Sequence, residues 1–229
     1  MKKFGFGAMR LPLIDSQDKS SIDMEELKKM VDEFMAAGFT YFDTAFPYHE
    51  QLSENALKEA LVDRYDRDSY IFADKMPTVL VKSGDEYPMY FNKQLEKTGV
   101  GYFDYYLMHN MGRDRYFNTD KWGGFDFARR MKEEGKIKKF GFSFHDDAEM
   151  LDQILTEHPE VDFVQLQINY LDWDNKIIQS RACYETARKY NKPIVVMEPV
   201  KGGTLASLPN ELPACFGSML RMFYQCLTH

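Results

Sequence analysis

Short apolar runs alternate with longer amphipathic stretches along this chain, and the regularity of that alternation limits the folds open to it. Runs rich in β-branched and aromatic residues begin near residues 4, 39, 70, 103, 139, 162 and 194. Their mean spacing is about 32 residues, which suits one strand, one crossover helix and two connections. Helices are predicted over 23–37, 53–62, 87–97 and 126–134, from Asp146 or Asp147 to before Pro159, and over 177–190. The first has the strongest signal. Asp23 with Glu26 makes a capping pair, Met24, Leu27, Met30, Val31, Phe34 and Met35 share a face, and Gly38 ends it. Strand three is read as Tyr70 to Ala73 with Lys75 just beyond it, and strand four as Phe103 to Met108. A loop with Gly112, Gly123 and Gly124 is expected after strand four.

Two folds accept such a pattern, a doubly wound open sheet and an eightfold barrel. The open sheet would want G-x-G-x-x-G opening a helix after its first strand. Here Gly5-Phe6-Gly7 leads into Arg10-Leu11-Pro12, a poor helix start. The expected fold is therefore an α/β TIM (β/α)8-type barrel, incomplete, with about seven βα units over residues 1–208 and an atypical tail over 209–229. At the observed spacing an eighth strand would begin near residue 226 of 229. Strands one and seven then lack a shared neighbour, which favours an open or plugged barrel and self-association through the seam.

The charge balance narrows the partners. Lys+Arg is 29 against Asp+Glu 36, a net charge of −7, so no nucleic-acid partner is expected. An anionic ligand stays open, because a pocket can be locally positive on an acidic protein. No apolar run approaches ~18 residues, so no membrane span is expected. The start, Met1 to Pro12, is broken by glycines and lacks the apolar stretch of a signal peptide. Cys183, Cys215 and Cys226 fit no metal-ligand spacing and read as reduced thiols of a cytoplasmic protein.

In a barrel the working residues sit at the C-terminal ends of the strands. Those ends carry Asp43, Lys75, His109, Ser143, Gln165 and Gln167, with Tyr48 in the loop five residues after Asp43 and Lys201 after strand seven. Each has an ordinary explanation by itself: a turn aspartate, a solvated lysine, an amphipathic loop tyrosine, a structural histidine, inward polar packing. A barrel brings them all to one rim, and there the set suits carbonyl reduction. A tyrosine can donate the proton, and a lysine ammonium favours its phenolate. An aspartate can hold the lysine, and a histidine N–H can polarise the carbonyl oxygen. No side chain supplies hydride, so a nicotinamide cofactor is required.

Several stretches carry a family resemblance. Phe42-Asp43-Thr44-Ala45-Phe46-Pro47-Tyr48-His49 with Ser53-Glu54, Ala73-Asp74-Lys75-Met76-Pro77 and Asp104-Tyr105-Tyr106-Leu107-Met108-His109-Asn110 resemble the aldo/keto reductase signatures. The opening Gly5 to Pro12 and the closing Met197 to Gly203 are similar to a branch that often carries a C-terminal iron–sulfur extension, whose cysteine clusters are absent here. The resemblance implies a TIM barrel, NADPH (NADP) as cofactor and a small-molecule carbonyl substrate, an aldehyde or ketone reduced to an alcohol. By motif position it implies Asp43, Tyr48, Lys75 and His109 as the catalytic tetrad. It implies Met9, Ser143, Gln165, Met197 and Lys201 as cofactor-binding residues. Phe144 stands where the family often has asparagine, and Met197 where it often stacks a tyrosine. The family's adenosine-phosphate contacts come from strand eight and its helix, so the expectation is weak NADPH binding, little preference over NADH and slow turnover.

Two other readings remain on the residues alone. One is a non-catalytic barrel fragment that binds a ligand or partner through the same pocket. The other is a metal-dependent barrel hydrolase using His49, His109, His145 and Asp147, which no H-x-H or similar spacing supports.

Overall fold

The computed structural model describes residues 3–205. Within them lies a seven-stranded sheet in the order β1 to β7. Its strands are β1 (Gly5–Gly7), β2 (Tyr41–Asp43), β3 (Ile71–Met76), β4 (Phe103–Met111), β5 (Ile137–Phe144), β6 (Phe163–Gln167) and β7 (Ile194–Met197). Every neighbouring pair is parallel. The helices are α1 (Met24–Ala36), α2 (Ser53–Leu57), α3 (Glu86–Thr98), α4 (Arg113–Lys121), α5 (Gly124–Glu133), α6 (Ala148–Glu157) and α7 (Ser180–Lys189). Sequential parallel order with helical crossovers is the wiring of a (β/α) barrel. Among the described residues β1 and β7 each pair on one side only. The tail expected over 209–229 lies outside the described residues.

The sheet curls, and side-chain contacts across it prove the curl. Gln165 on β6 donates from Nε2 to Asp43 Oδ2 on β2 at 2.9 Å, although three strands separate them in the sheet. Tyr41, Tyr105 and Phe163, from β2, β4 and β6, meet edge to face at 5.3 and 4.9 Å between centroids. They fill the inside with Ala73, Leu107 and Val195. Gly141 is required there. A Cβ at that position would lie 2.4 Å from the Phe163 carbonyl oxygen and 2.7 Å from its ring, so only glycine lets the ring into the centre. The larger core lies outside the sheet, where Phe72, Met108, Phe140, Val164 and Leu166 pack beneath the helices.

Helix ends follow the sequence closely. Asp23 accepts the Glu26 N–H at 3.0 Å and caps α1, which buries Leu27, Val31 and Phe34. Met30, expected on that face, is 38% exposed. Of the two candidate caps for α6, Asp147 accepts the Met150 N–H at 2.8 Å. Asp146 instead accepts the Arg113 N–H at 2.7 Å and anchors α4. That helix stands where a loop is expected. It buries only Tyr116 and Thr119, so it carries no apolar stripe for periodicity to detect. Two strands also run further than expected. β3 continues through Lys75 to Met76, and β4 continues through His109 to Met111 with a register shift after Met108.

Candidate active site

Lys75 sits inside β3 with its side chain 2% exposed. A lysine is tolerated there because its ammonium is surrounded by acceptors. It pairs with Asp43 Oδ1 and donates to the Thr44 carbonyl at 2.7 Å. Burial alone would depress the ammonium's pKa, but the Asp43 carboxylate, followed by Tyr48, outweighs it and holds the group charged well above the ordinary lysine range. Asp43 is held from three sides, by Lys75, by Gln165 and by the Tyr41 hydroxyl at 3.4 Å.

Tyr48 follows β2 and lies over this pair, with the Lys75 ammonium 5.1 Å from its ring centroid. Its phenol titrates above the free tyrosine value. Burial raises it, the Lys75 ammonium pulls it down, and Asp43 adds to the rise. The ammonium favours the phenolate, as expected, but desolvation outweighs it, and Tyr48 holds its proton in the isolated protein.

His109 meets Tyr48 edge to face, with ring centroids 5.8 Å apart at 82°. It sits at the irregularity of β4, where the next residue, Asn110, has φ 55°. Bulges of this kind re-aim a side chain at a strand end. The Thr78 hydroxyl donates to the His109 carbonyl at 2.5 Å, and Asn110 N–H donates to Ser143 Oγ at 2.7 Å. Burial pushes the His109 imidazole down to about 3, and Lys75, His145 and Arg115 act in the same direction. The ring is neutral at physiological pH, with one nitrogen available as an N–H donor.

Ser143 and Gln165 are register partners on β5 and β6. They suit a nicotinamide carboxamide, which offers one acceptor oxygen and two N–H donors. Ser143 Oγ accepts from Asn110 and keeps its own proton to donate. Gln165 uses Nε2 on Asp43 and keeps its carbonyl oxygen to accept. The donor set therefore fits the group. Met9 is 50% exposed just after β1, and Met197 is half-buried at the end of β7. Phe144 packs into the outer core.

Lys201 does not present a free charge. Its Nζ pairs with Asp172 Oδ1 at 2.6 Å. Asp172 also accepts from Asn169 at 2.9 Å and from Gln167 at 3.2 Å. Burial alone would raise the Asp172 carboxyl, but Lys201, Asn169 and Gln167 together hold it below its ordinary value. The sequence reading did not single out Asn169 or Asp172; their places two and five residues after Gln167 at a strand end were the available signal. Arg10, after β1, pairs with Glu198, after β7, at 3.3 Å and links the two ends of the seven-stranded sheet.

His49 is structural. Its Nε2 accepts the Leu11 N–H at 2.9 Å, and its Nδ1 lies 2.9 Å from the Lys19 carbonyl. Among the described residues no group of three or more His, Cys, Asp or Glu is placed to hold a metal ion. None of their helices is long and apolar enough to cross a membrane.

Comparison with known proteins agrees with the fold. The chain is similar to the holo form of an aldo-keto reductase from Bacillus halodurans, with TM-score 0.67 at 21% identity over 93% of this chain and 66% of that one. An aldo/keto reductase from Brucella melitensis gives 0.66 at 19% over 92% and 72%. One from Klebsiella pneumoniae, solved in complex with NADPH, gives 0.65 at 17% over 89% and 66%. The chain thus spans about two thirds of the length of these structures. No curated protein sequence matches it significantly. The family model for the aldo/keto reductases matches residues 3–216. The chain belongs to the aldo/keto reductase family.

Proposed function

We propose that this protein is an NADPH-dependent carbonyl reductase, converting an aldehyde or ketone to an alcohol with Asp43, Tyr48, Lys75 and His109 as its working residues. The observation that carries this reading is the convergence of Lys75 on Asp43 beneath a protonated Tyr48, with a neutral His109 against the Tyr48 ring. Two solved relatives, from Klebsiella pneumoniae and Bombyx mori, are complexes with NADPH and NADP, which supports the same cofactor here.

NADPH, when bound, supplies the hydride. Ser143 and Gln165 would hold its carboxamide, with Met9 and Met197 flanking the mouth of the barrel and Lys201 near the end of β7. The chain's own groups do the rest. Tyr48 holds the proton that the carbonyl oxygen needs. As negative charge builds on that oxygen, the Tyr48 proton moves to it. The Lys75 ammonium stabilises the phenolate left behind, which is the state it favours by Coulomb attraction. Asp43 keeps Lys75 charged and aimed. The neutral His109 N–H donates to the developing oxyanion without competing as an acid.

Fluorescence titration with NADPH and with NADH tests the cofactor assignment. Saturable binding of NADPH that Gln165→Leu weakens is expected; the absence of binding by either nucleotide would leave the fold as a ligand-binding or partner-binding barrel.

A further inference from the structure

Behind Lys75, on the face of β3 turned away from the barrel, lies a buried polar cluster that the proposed chemistry does not use. Pairing of β2 with β3 ends at Asp43 and Ala73, so β3 outruns its neighbour. Lys75 is left with a backbone N–H and C=O that no strand reaches on that side. Side chains take the strand's place. Asp74 Oδ1 accepts the Lys75 N–H at 2.8 Å, and Gln94 Nε2 on α3 donates to the Lys75 carbonyl at 3.0 Å. Asp74, Gln94 and Glu54 are all 0% exposed.

Gln94 is fixed in turn. Its Nε2 donates to Glu54 Oε1 at 3.1 Å, and its Oε1 accepts the Tyr106 hydroxyl at 2.5 Å. Glu54, on α2, takes the Lys97 ammonium on Oε2. Asp74 Oδ2 is buried with no hydrogen-bond partner, and the carboxyl beside it is that of Glu54. Two acceptors side by side in a dry site repel unless one carries a proton. Glu54 already has an ammonium and an amide N–H, whereas the Lys75 ammonium is engaged by Asp43 and Thr44 on the other face. The proton therefore sits on Asp74. Its carboxyl is held well above the ordinary range by burial and then by Glu54.

We propose that Asp74, as a neutral acid donating to Glu54, is a positioning residue that with Gln94 fixes the Lys75 backbone and so the point where the ammonium enters the site. The proposal rests on the reading of Lys75 as part of the reductase machinery.

The chemistry predicts an unusual ranking of variants. Asp74→Asn keeps an acceptor for the Lys75 N–H and a donor for Glu54, so its turnover and structure should stay near those of the parent. Asp74→Val removes both. A misplaced catalytic group costs up to about 10²-fold in rate, so kcat should fall by that order with KM for the carbonyl little changed. Its crystal structure should show the ammonium moved from the Thr44 carbonyl. Infrared difference spectra of parent minus Asp74→Asn at neutral pH should show the carbonyl stretch of a protonated acid in the parent. Gln94→Leu, which removes the partner of the Lys75 carbonyl along with the hydrogen bonds to Glu54 and Tyr106, is read the same way should the valine variant not fold.

A parent without the protonated-acid band, an asparagine variant as impaired as valine, or a valine variant with parental kcat and an unmoved ammonium overturns the proposal. A parent that reduces no carbonyl sinks the reductase reading by itself. The infrared and crystallographic results still decide the role of Asp74.

Discussion

Acidification should remove the part of this protein's stability that rests on keeping His109 neutral. The folded imidazole titrates at about 3, against ~6.5 in an unfolded chain. Below pH ~6.5 the unfolded chain takes up a proton that the folded one refuses, so the His109 contribution to stability is full above that value and falls as the pH drops. The loss is about 1.4 kcal/mol per pH unit until the folded imidazole itself titrates. At pH 5 it amounts to about 2 kcal/mol, a sizeable part of the 5–15 kcal/mol typical of a domain. His145 is also depressed, mainly by burial, so the parent alone cannot assign the effect. His109→Gln keeps a polar side chain of similar reach and removes the titration. Urea unfolding of both proteins between pH ~7.5 and ~5 should give a parent that loses about 2 kcal/mol more than the variant. Parallel stability curves would refute a buried, neutral His109, and with it the N–H donor in the proposed mechanism.

Other substitutions test the remaining parts. Tyr48→Phe should lower turnover by ~10²–10⁴ with NADPH binding nearly intact by fluorescence; a variant with parental turnover contradicts the proton-donor role. Lys75→Met leaves the half-buried Asp43 beside Tyr41 and Gln165 without its cation, and should lower stability in urea by up to about 3 kcal/mol as well as turnover. An unchanged urea midpoint would show that the pair is solvated. Gly141→Ala puts a methyl 2.4 Å from the Phe163 carbonyl, and should lower stability by about 1–3 kcal/mol through overpacking. A melting temperature equal to the parent's would mean that the barrel interior is looser than described.

The barrel was legible because its repeat is long-range and regular. Apolar runs recur at the spacing of βα units, and a strand with Gln165 on one side and Val164, Leu166 and Ile168 on the other declares which face meets the interior. What escaped the sequence reading has local physical causes. Lys75 reads as a strand end because lysine prefers water, yet its ammonium is satisfied inside by Asp43 and Thr44. The α4 helix rests on caps and a few contacts, and its polar sequence hides it. Lys201 reads as a cation available to an anion, and its partner Asp172 comes from a different loop. Nothing local to Asp74 shows that α2 and α3 close over it and leave it 0% exposed. In each case the missing information was the identity of a partner distant in sequence.

The central claim is hydride transfer to a carbonyl at the rim formed by Asp43, Tyr48, Lys75 and His109. It is tested most directly by incubating the protein with NADPH deuterated at the transferable position and a panel of aldehydes and ketones, then locating the label by mass spectrometry. The account predicts deuterium on the carbinol carbon of at least one alcohol product, with label transfer strongly reduced in Tyr48→Phe. NADPH bound by the parent with no label reaching any carbonyl, or equal transfer by parent and Tyr48→Phe, would contradict it.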